Sequence, residues 1–174
     1  MRVRDRRERI LAAAADLFRE KGFHAVGIDE IGTTAGITGP GVYRHFDGKD
    51  GLLVAVLREA TEELWHTPEG DVTLVDYVRR HVEFAVDHGD TIDLWHREGR
   101  NLPKDAQDAQ REVVEAYVDG WASVLLAQRS DLSSAEARIR VRATLGLIHS
   151  LTHPDMAGAP AAVVERMALA GLLA

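Results

Sequence analysis

The chain has 174 residues, 45% of them hydrophobic and 28% charged, a composition typical of a globular protein with one large domain or two small ones. It contains no cysteine, which excludes disulfides, thiolate zinc sites, iron–sulfur clusters and a thiol nucleophile. The formal net charge of −7 is unevenly distributed: residues 1–50 carry nine Lys/Arg and eight Asp/Glu, whereas residues 51–174 carry twelve and twenty. Five arginines lie within the first nine residues, so an otherwise acidic chain can contact a polyanion with one end.

Apolar residues recur at helical spacing along nearly the whole chain, and no segment alternates as a strand does. We therefore predict an all-α fold of about nine helices. Capping-box patterns mark some of the starts, as at Asp5-x-x-Glu8 and Ser133-x-x-Glu136. The predicted helices span residues 5–21, 28–35, 39–45, 49–65, 73–88, 91–100, 103–129, 134–152 and 160–173. Residues 66–72 are predicted to form a loop and to join two domains.

We see neither a secretory leader nor a continuous apolar run of about 18 residues. We therefore expect a cytoplasmic protein that does not bind a membrane.

Residues 28–46 carry the pattern that points to function. Two short helices meet at a tight turn containing Gly36, which can adopt a positive φ angle, and Ile31 and Ala35 supply apolar inner faces. This is the spacing of a helix-turn-helix, which places its second helix in the major groove of DNA. Thr38 begins that second helix, and its hydroxyl can cap the helix or reach a phosphate.

Residues 5–53 resemble the TetR family of transcriptional repressors. The matches, in chain order, are the apolar stripe of residues 10–18, Gly22-Phe23, Ile31, Ala35-Gly36-Ile37-Thr38, Val42-Tyr43, His45-Phe46, Lys49 and Leu52-Leu53. The resemblance implies a three-helix DNA-binding domain over residues 1–48 and a helical ligand-binding and dimerisation domain over residues 49–174. The chain departs from the family at Gly27, where the family usually has Thr or Ser, and at Gly32, where it usually has Ala.

The resemblance also implies which residues contact double-stranded DNA. Three of them match phosphate contacts of the family: Tyr43, His45 and Lys49. Four others occupy the positions that face base edges: Thr38, Gly39, Pro40 and Gly41. Arg44 lies in the same helix. Since two of these residues are glycines, we expect sparse direct readout of the bases and a contribution from DNA shape. The arginines of residues 2–7 form an arm that can enter an adjacent minor groove.

A purely structural interpretation of the same residues stays open. Tyr43 and Phe46 also fit the role of core aromatics, Thr38 that of a helix cap and Lys49 that of a solvated charge. Their joint spacing favours DNA binding.

Polar and aromatic residues recur on helices of residues 73–129 that we expect to face inward. Large rings with a few polar groups are typical of a small-molecule pocket, although aromatic pairs at helical spacing also occur in ordinary cores. The candidate contacts to a small-molecule effector are Trp95, Arg100, Asn101, Tyr117 and Trp121. His149 and His153 share a helix face near Asp155, but no third ligand is evident, and we predict no metal and no cofactor.

The last two predicted helices are too apolar for a lone monomer. Residues 160–174 contain only Glu165 and Arg166 as charges, and residues 143–151 contain none. Helices that are apolar all round are buried on more than one side, so we predict a homodimer formed through residues 134–174. The resemblance implies the same pairing as a four-helix bundle. The alternative is a helix enclosed within a monomer.

No nucleophile–base arrangement, glycine-rich phosphate loop or zinc-protease motif is evident, so we predict no catalytic residues and no enzymatic activity. The predicted function is a homodimeric, ligand-responsive transcriptional regulator, most simply a repressor, that binds a palindromic operator. The alternative is an all-helical small-molecule-binding protein or enzyme that does not bind DNA.

Overall fold

The computed structural model describes residues 5–65, 72–156 and 158–174. These residues form nine α-helices and no strand, which confirms the predicted all-α class. The helices are α1 (Arg6–Lys21), α2 (Ile28–Ala35), α3 (Gly39–Val42), α4 (Gly48–Trp65), α5 (Leu74–Asp87), α6 (Gly89–Glu98), α7 (Lys104–Gln128), α8 (Ser134–His149) and α9 (Ala161–Leu173). No helix within these segments is both long and apolar enough to cross a bilayer. The predicted loop at 66–72 falls, except for Val72, outside the described residues.

Local capping chemistry sets the helix starts. The Asp5 side chain accepts a hydrogen bond from the Glu8 amide at 2.9 Å, and the Glu8 carboxylate accepts one from the Asp5 amide at 3.1 Å. The same reciprocal pattern begins α5 at Thr73 and α8 at Ser133. Each capping box satisfies amides that have no partner inside the helix, which explains why these starts are predictable from four residues.

Three predicted helices are shorter or shifted in the structure. The helix predicted over 39–45 is a single turn, Gly39–Val42, because Tyr43–His45 continue as a turn closed by the bond from the His45 amide to the Val42 carbonyl at 2.9 Å. The helix predicted over 91–100 begins at Gly89 and tightens after Glu98 into a 3₁₀ turn. The helix predicted over 134–152 likewise ends at His149 and tightens into a 3₁₀ turn before Pro154.

The chain packs as two compact units. The first comprises Met1–Thr61 and Leu94–Asp108. Its core is an apolar cluster to which α1 to α4 contribute, and the later segment adds Leu94 and Leu102. The first unit therefore contains the helix-turn-helix together with a segment that is distant in the sequence.

The second unit comprises Glu62–Asp93 and Ala109–Ala174. Helix α5 packs against α8 and α9, and Trp121 of α7 is the largest fully buried side chain of the core. Since the boundaries of the units fall within α4, α6 and α7, they differ from the predicted functional boundary at residue 48, which stays a prediction.

Candidate nucleic-acid interface

Helices α2 and α3 meet at a turn in which Gly36 has a φ of 72°, a left-handed conformation that favours glycine. The Ile37 amide donates to the Gly32 carbonyl at 2.9 Å and closes the turn. A Cβ placed on Gly32 would lie 3.0 Å from the Gly39 backbone nitrogen. The absence of a side chain at Gly32 thus allows α2 to approach the start of α3 closely.

Helix α3 and the residues on either side of it expose most of the predicted DNA contacts. The Tyr43 side chain is 61% exposed, whereas Phe46 is 7% exposed and belongs to the core. The alternative of two core aromatics therefore holds for Phe46 and fails for Tyr43. The other predicted contacts with exposed side chains are Thr38, Pro40, Arg44 and His45. Thr38 occupies the N-cap position without a side-chain cap bond, and the residue is exposed.

The two glycines of α3 face the protein. A Cβ on Gly39 would lie 1.9 Å from Asp29 Oδ1, and one on Gly41 would lie 3.4 Å from Thr38 Oγ1 and 3.5 Å from Ile37 Cδ1. Side chains at these two positions would project onto α2 and the turn. The predicted base contact of either residue therefore depends on its backbone.

A groove of about 480 Å³ lies between the N-terminal turn of α2, helix α3 and the start of α4. Its lining residues are Val26, Gly27, Ile28, Asp29, Pro40, Tyr43 and Lys49. Gly27 is the N-cap of α2 and makes no side-chain cap bond. The groove therefore combines a helix N-terminus, a phenol hydroxyl and an ammonium, three groups that favour a phosphate. Tyr43 and Lys49, predicted separately as phosphate contacts, share this groove.

The Lys49 side chain is held in place by the turn before α2. Its ammonium donates to the carbonyls of Phe23 at 2.9 Å and Val26 at 3.0 Å, and it lies 4.5 Å from the centre of the Phe23 ring. An ammonium has three N–H donors, so these two hydrogen bonds leave donor capacity for an anion. Lys49 is half-buried, so its interpretation as a merely solvated charge is wrong.

The charges around the groove are mixed. Acidic Asp29 is among the lining residues, and one of its carboxylate oxygens lies close to Gly39. The next residue, Glu30, pairs with Lys21 at 2.6 Å, and this hydrogen bond lowers the pKa of Glu30 and raises that of Lys21.

Of the predicted basic arm, residues 1–4 lie outside the described part of the chain, and Arg6 and Arg7 belong to the first turn of α1.

The predicted effector contacts fall into two separately packed groups. Trp95, Arg100 and Asn101 lie in the first unit. There Trp95 packs against the core, Arg100 is exposed and the Asn101 amide donates to Glu98 Oε2 at 2.7 Å. Tyr117 and Trp121 are buried in the second unit. The effector site stays a prediction for both groups.

Tyr117 and Trp121 belong to a buried polar cluster. His81 is fully buried, with Nδ1 3.2 Å from the Tyr117 hydroxyl and Nε2 2.9 Å from Nε2 of His149. Burial, and then the neighbouring His149, lower the pKa of His81 to about 3. Burial raises the pKa of Tyr117 above its ordinary value. The fully buried Trp121 indole packs edge-on beside the Tyr117 ring, with the ring centres 5.9 Å apart. Within the described residues no group of three or more metal-binding side chains occurs, and His153 is exposed beside Asp155.

Helices α8 and α9 each expose an apolar stripe. On α9 the side chains of Val164, Ala168 and Leu172 are buried in the core, whereas Met167 is 53% exposed. The exposed stripes run through Ala135, Ile139, Ala143 and Gly146 on α8, and through Val163, Met167 and Ala170 on α9 to Ala174 immediately after it. Within the second unit α8 and α9 pack against each other. These two helices therefore present apolar surface beyond what the core covers.

Comparison with known proteins places the helix-turn-helix in a family. Residues 10–56 match the family model of bacterial regulatory proteins of the tetR family. The transcriptional activator FasR of Mycolicibacterium smegmatis is 42% identical over 60 residues, which cover 34% of this chain and 27% of that protein. The transcriptional repressor KstR2 of Rhodococcus jostii is 37% identical over 60 residues, covering 34% and 29%. The matched segment thus spans less than a third of these relatives.

The likeness in fold extends over nearly the whole chain. A bacterial regulatory protein of the tetR family from Rhodococcus RHA1 superimposes with a TM-score of 0.82, covering 98% of this chain and 96% of that one. Its sequence identity of 19% limits this likeness to the fold.

Sequence reasoning missed two residues of this region. Asp29 lines the groove and contacts Gly39, and its position two residues after the N-cap of α2 is the local signal that could have identified it. The carboxylate of Glu98, which is buried, accepts a hydrogen bond from the Phe23 amide at 3.1 Å. The two residues are 75 positions apart, so no local pattern in the sequence connects them.

Proposed function

We propose that the chain is a DNA-binding transcriptional regulator of the TetR family, supported by the match of residues 10–56 to the family model and by the likeness in fold. It binds a palindromic operator as a homodimer, changes its affinity for that operator when a small molecule binds, and catalyses no reaction. The single observation that carries this proposal is the groove between α2, α3 and α4, beside the exposed residues Thr38, Pro40 and Arg44.

The groove suits the backbone of duplex DNA. Amides of the first turn of α2, the Tyr43 hydroxyl and the Lys49 ammonium converge on one surface, where a phosphate accepts hydrogen bonds from all three. Pro40 also lines the groove, so a phosphate bound there places α3 at the edge of the major groove. Base readout then falls to Thr38, Pro40 and Arg44, whose side chains are exposed.

The exposed stripes of α8 and α9 support homodimerisation. Two stripes of small and apolar side chains on adjacent helices bury against the same stripes of a second copy, since an isologous contact needs a self-complementary surface. Two DNA-binding heads are needed to reach successive major grooves about 34–36 Å apart. Dimerisation is therefore part of operator binding.

Effector binding is proposed for the buried cluster of the second unit. Polar groups converge there inside an apolar core, where the two ring nitrogens of His81 lie within hydrogen-bond distance of Tyr117 and His149. A small molecule with a few polar groups would exchange hydrogen bonds with this cluster. By reciprocity, an effector that weakens operator binding is itself bound more weakly in the presence of the operator.

The decisive experiment measures binding to the DNA upstream of the protein's own gene by fluorescence anisotropy at several salt concentrations. Tyr43→Phe removes one exposed hydroxyl and should weaken binding to all sequences, and Lys49→Ala should also reduce the slope of log K against log salt by about one per subunit. Lys104→Ala is the charge-matched control, because Lys104 is exposed and pairs with Asp108 away from the groove. A wild-type protein that binds no DNA specifically would support the alternative of a helical small-molecule-binding protein.

A further inference from the structure

Glu98 is a buried carboxylate on the last residue of α6. Its side chain belongs to the first unit and only 7% of the residue is exposed. Oε1 accepts a hydrogen bond from the Phe23 amide at 3.1 Å, and Oε2 accepts one from Asn101 Nδ2 at 2.7 Å. Burying a carboxylate is costly and by itself weak evidence for a stabilising role. The role of Glu98 is therefore better inferred from the groups to which it is hydrogen-bonded.

The backbone amide and the backbone carbonyl of Phe23 are both hydrogen-bonded to side chains. Its amide donates to Glu98, and its carbonyl accepts from the Lys49 ammonium at 2.9 Å. The Phe23 ring, which lies 4.5 Å from the same ammonium, packs edge-on against Phe18. A continuous series of contacts thus runs from Asn101 through Glu98 and Phe23 to Lys49.

The turn that Glu98 holds also builds the groove. Residues 23–26 supply both carbonyls that hold Lys49, and Val26 and Gly27 line the groove immediately before α2. We propose that Glu98 is a positioning residue of the phosphate groove: it fixes the turn at residues 23–26, and the turn in turn fixes the Lys49 ammonium. This inference depends on the proposed function, because it assigns Glu98 to the DNA site.

The effect of Glu98 is transmitted through Lys49, which predicts a specific signature. Without the carboxylate the Phe23 amide loses its acceptor, the turn relaxes and the ammonium is no longer held in the groove. The loss must therefore reduce the salt dependence of DNA binding as well as the affinity. A role in folding alone would lower stability and leave the salt slope of the folded protein unchanged.

The experiment compares Glu98→Met, which fills the buried space without an acceptor, with Glu98→Gln, which keeps an oxygen for the Phe23 amide. Glu98→Met should weaken operator binding about tenfold and lower the salt slope by about one per subunit, as Lys49→Ala does. Glu98→Gln should keep most of the wild-type affinity and most of the wild-type salt slope. The double variant of Glu98→Met and Lys49→Ala should bind no more weakly than Lys49→Ala alone.

Thermal melting and circular dichroism establish that each variant is folded. If Glu98→Met does not fold, Asn101→Ala, which removes only the donor to Oε2, must lower the affinity and the slope in the same direction. A folded Glu98→Met with the wild-type slope, or additive effects in the double variant, would overturn the inference. Absence of operator binding by the wild type would instead refute the proposed function.

Discussion

A single substitution at Gly27 should increase both the stability of the protein and its affinity for DNA. It is the N-cap of α2 with φ −99° and ψ 155°, an extended conformation open to any residue, and a Cβ placed there meets no atom within 4 Å. Gly27 lines the groove, but as a glycine it has no side chain with which to form a hydrogen bond there. Gly27→Thr therefore adds a hydroxyl at the N-terminus of α2 without displacing any neighbour.

The expected gain has two parts. The loss of backbone freedom in the unfolded chain should stabilise the protein by about 0.4–1 kcal/mol, because the native conformation suits Thr. A new hydrogen bond from the hydroxyl to a DNA phosphate should contribute about 1 kcal/mol. In affinity, that corresponds to about fivefold per half-site. The salt slope should stay unchanged, because a hydroxyl adds no charge.

The matched control is Gly27→Val, which has the shape of Thr without the hydroxyl. Gly27→Val should be less stable than Gly27→Thr in urea denaturation, because Val is a poor N-cap residue, and only Gly27→Thr should bind the operator more tightly in anisotropy titrations. Equal affinities for Gly27→Thr and Gly27→Val would mean that no phosphate approaches this cap, which would refute the assignment of the groove to DNA.

Two further predictions concern the second unit. Met167→Glu should convert the dimer to a monomer in sedimentation and abolish operator binding. The thermal melt should stay cooperative, because the Met167 side chain is exposed. A charge at Leu169 would be a less specific test, because Leu169 packs against the core. A wild type that sediments as a monomer would contradict this prediction. The second follows from His81, whose pKa falls from 6.5 to about 3 on burial, so that below pH 6.5 the unfolded chain binds a proton that the folded chain does not. Unfolding free energy should therefore fall by about 2 kcal/mol more between pH 7 and pH 5 in the wild type than in His81→Gln, and equal losses in urea titrations would show that His81 ionises in the folded state.

Helix positions were predictable because the signals that set them are local. Asp5 with Glu8 and Ser133 with Glu136 are complete capping boxes within four residues. Each pair selects a helix start regardless of what the helix packs against. The prediction extends α3 to residue 45, whereas the helix ends at Val42. No local feature of Tyr43–His45 distinguishes a helical turn from a non-helical one.

The assembly of the site could be predicted only in part. The resemblance identified Tyr43 and Lys49, and the structure brings both to one groove. The inward direction of Gly39 depends on the approach of Asp29 from another helix, and the bond from Phe23 to Glu98 depends on a segment 75 residues away. Long-range packing decides these contacts, and neither periodicity nor motif spacing encodes it.

The charge of Asp29 provides the last prediction, because this residue lines the groove that should receive phosphates. A unit charge about 6 Å from a phosphate in water opposes binding by about 0.7 kcal/mol. Asp29→Asn should therefore tighten binding to all DNA sequences about threefold per half-site, and the gain should vanish near 1 M salt. Glu30→Gln is the control: it makes the same change in net charge one residue further along α2, where the carboxylate pairs with Lys21. Both variants lose one acidic residue from the first turn of α2, so a small and similar loss of stability is expected in thermal melts. If the two variants tighten binding equally, the effect reflects the overall charge of the protein, and the phosphate does not lie in this groove.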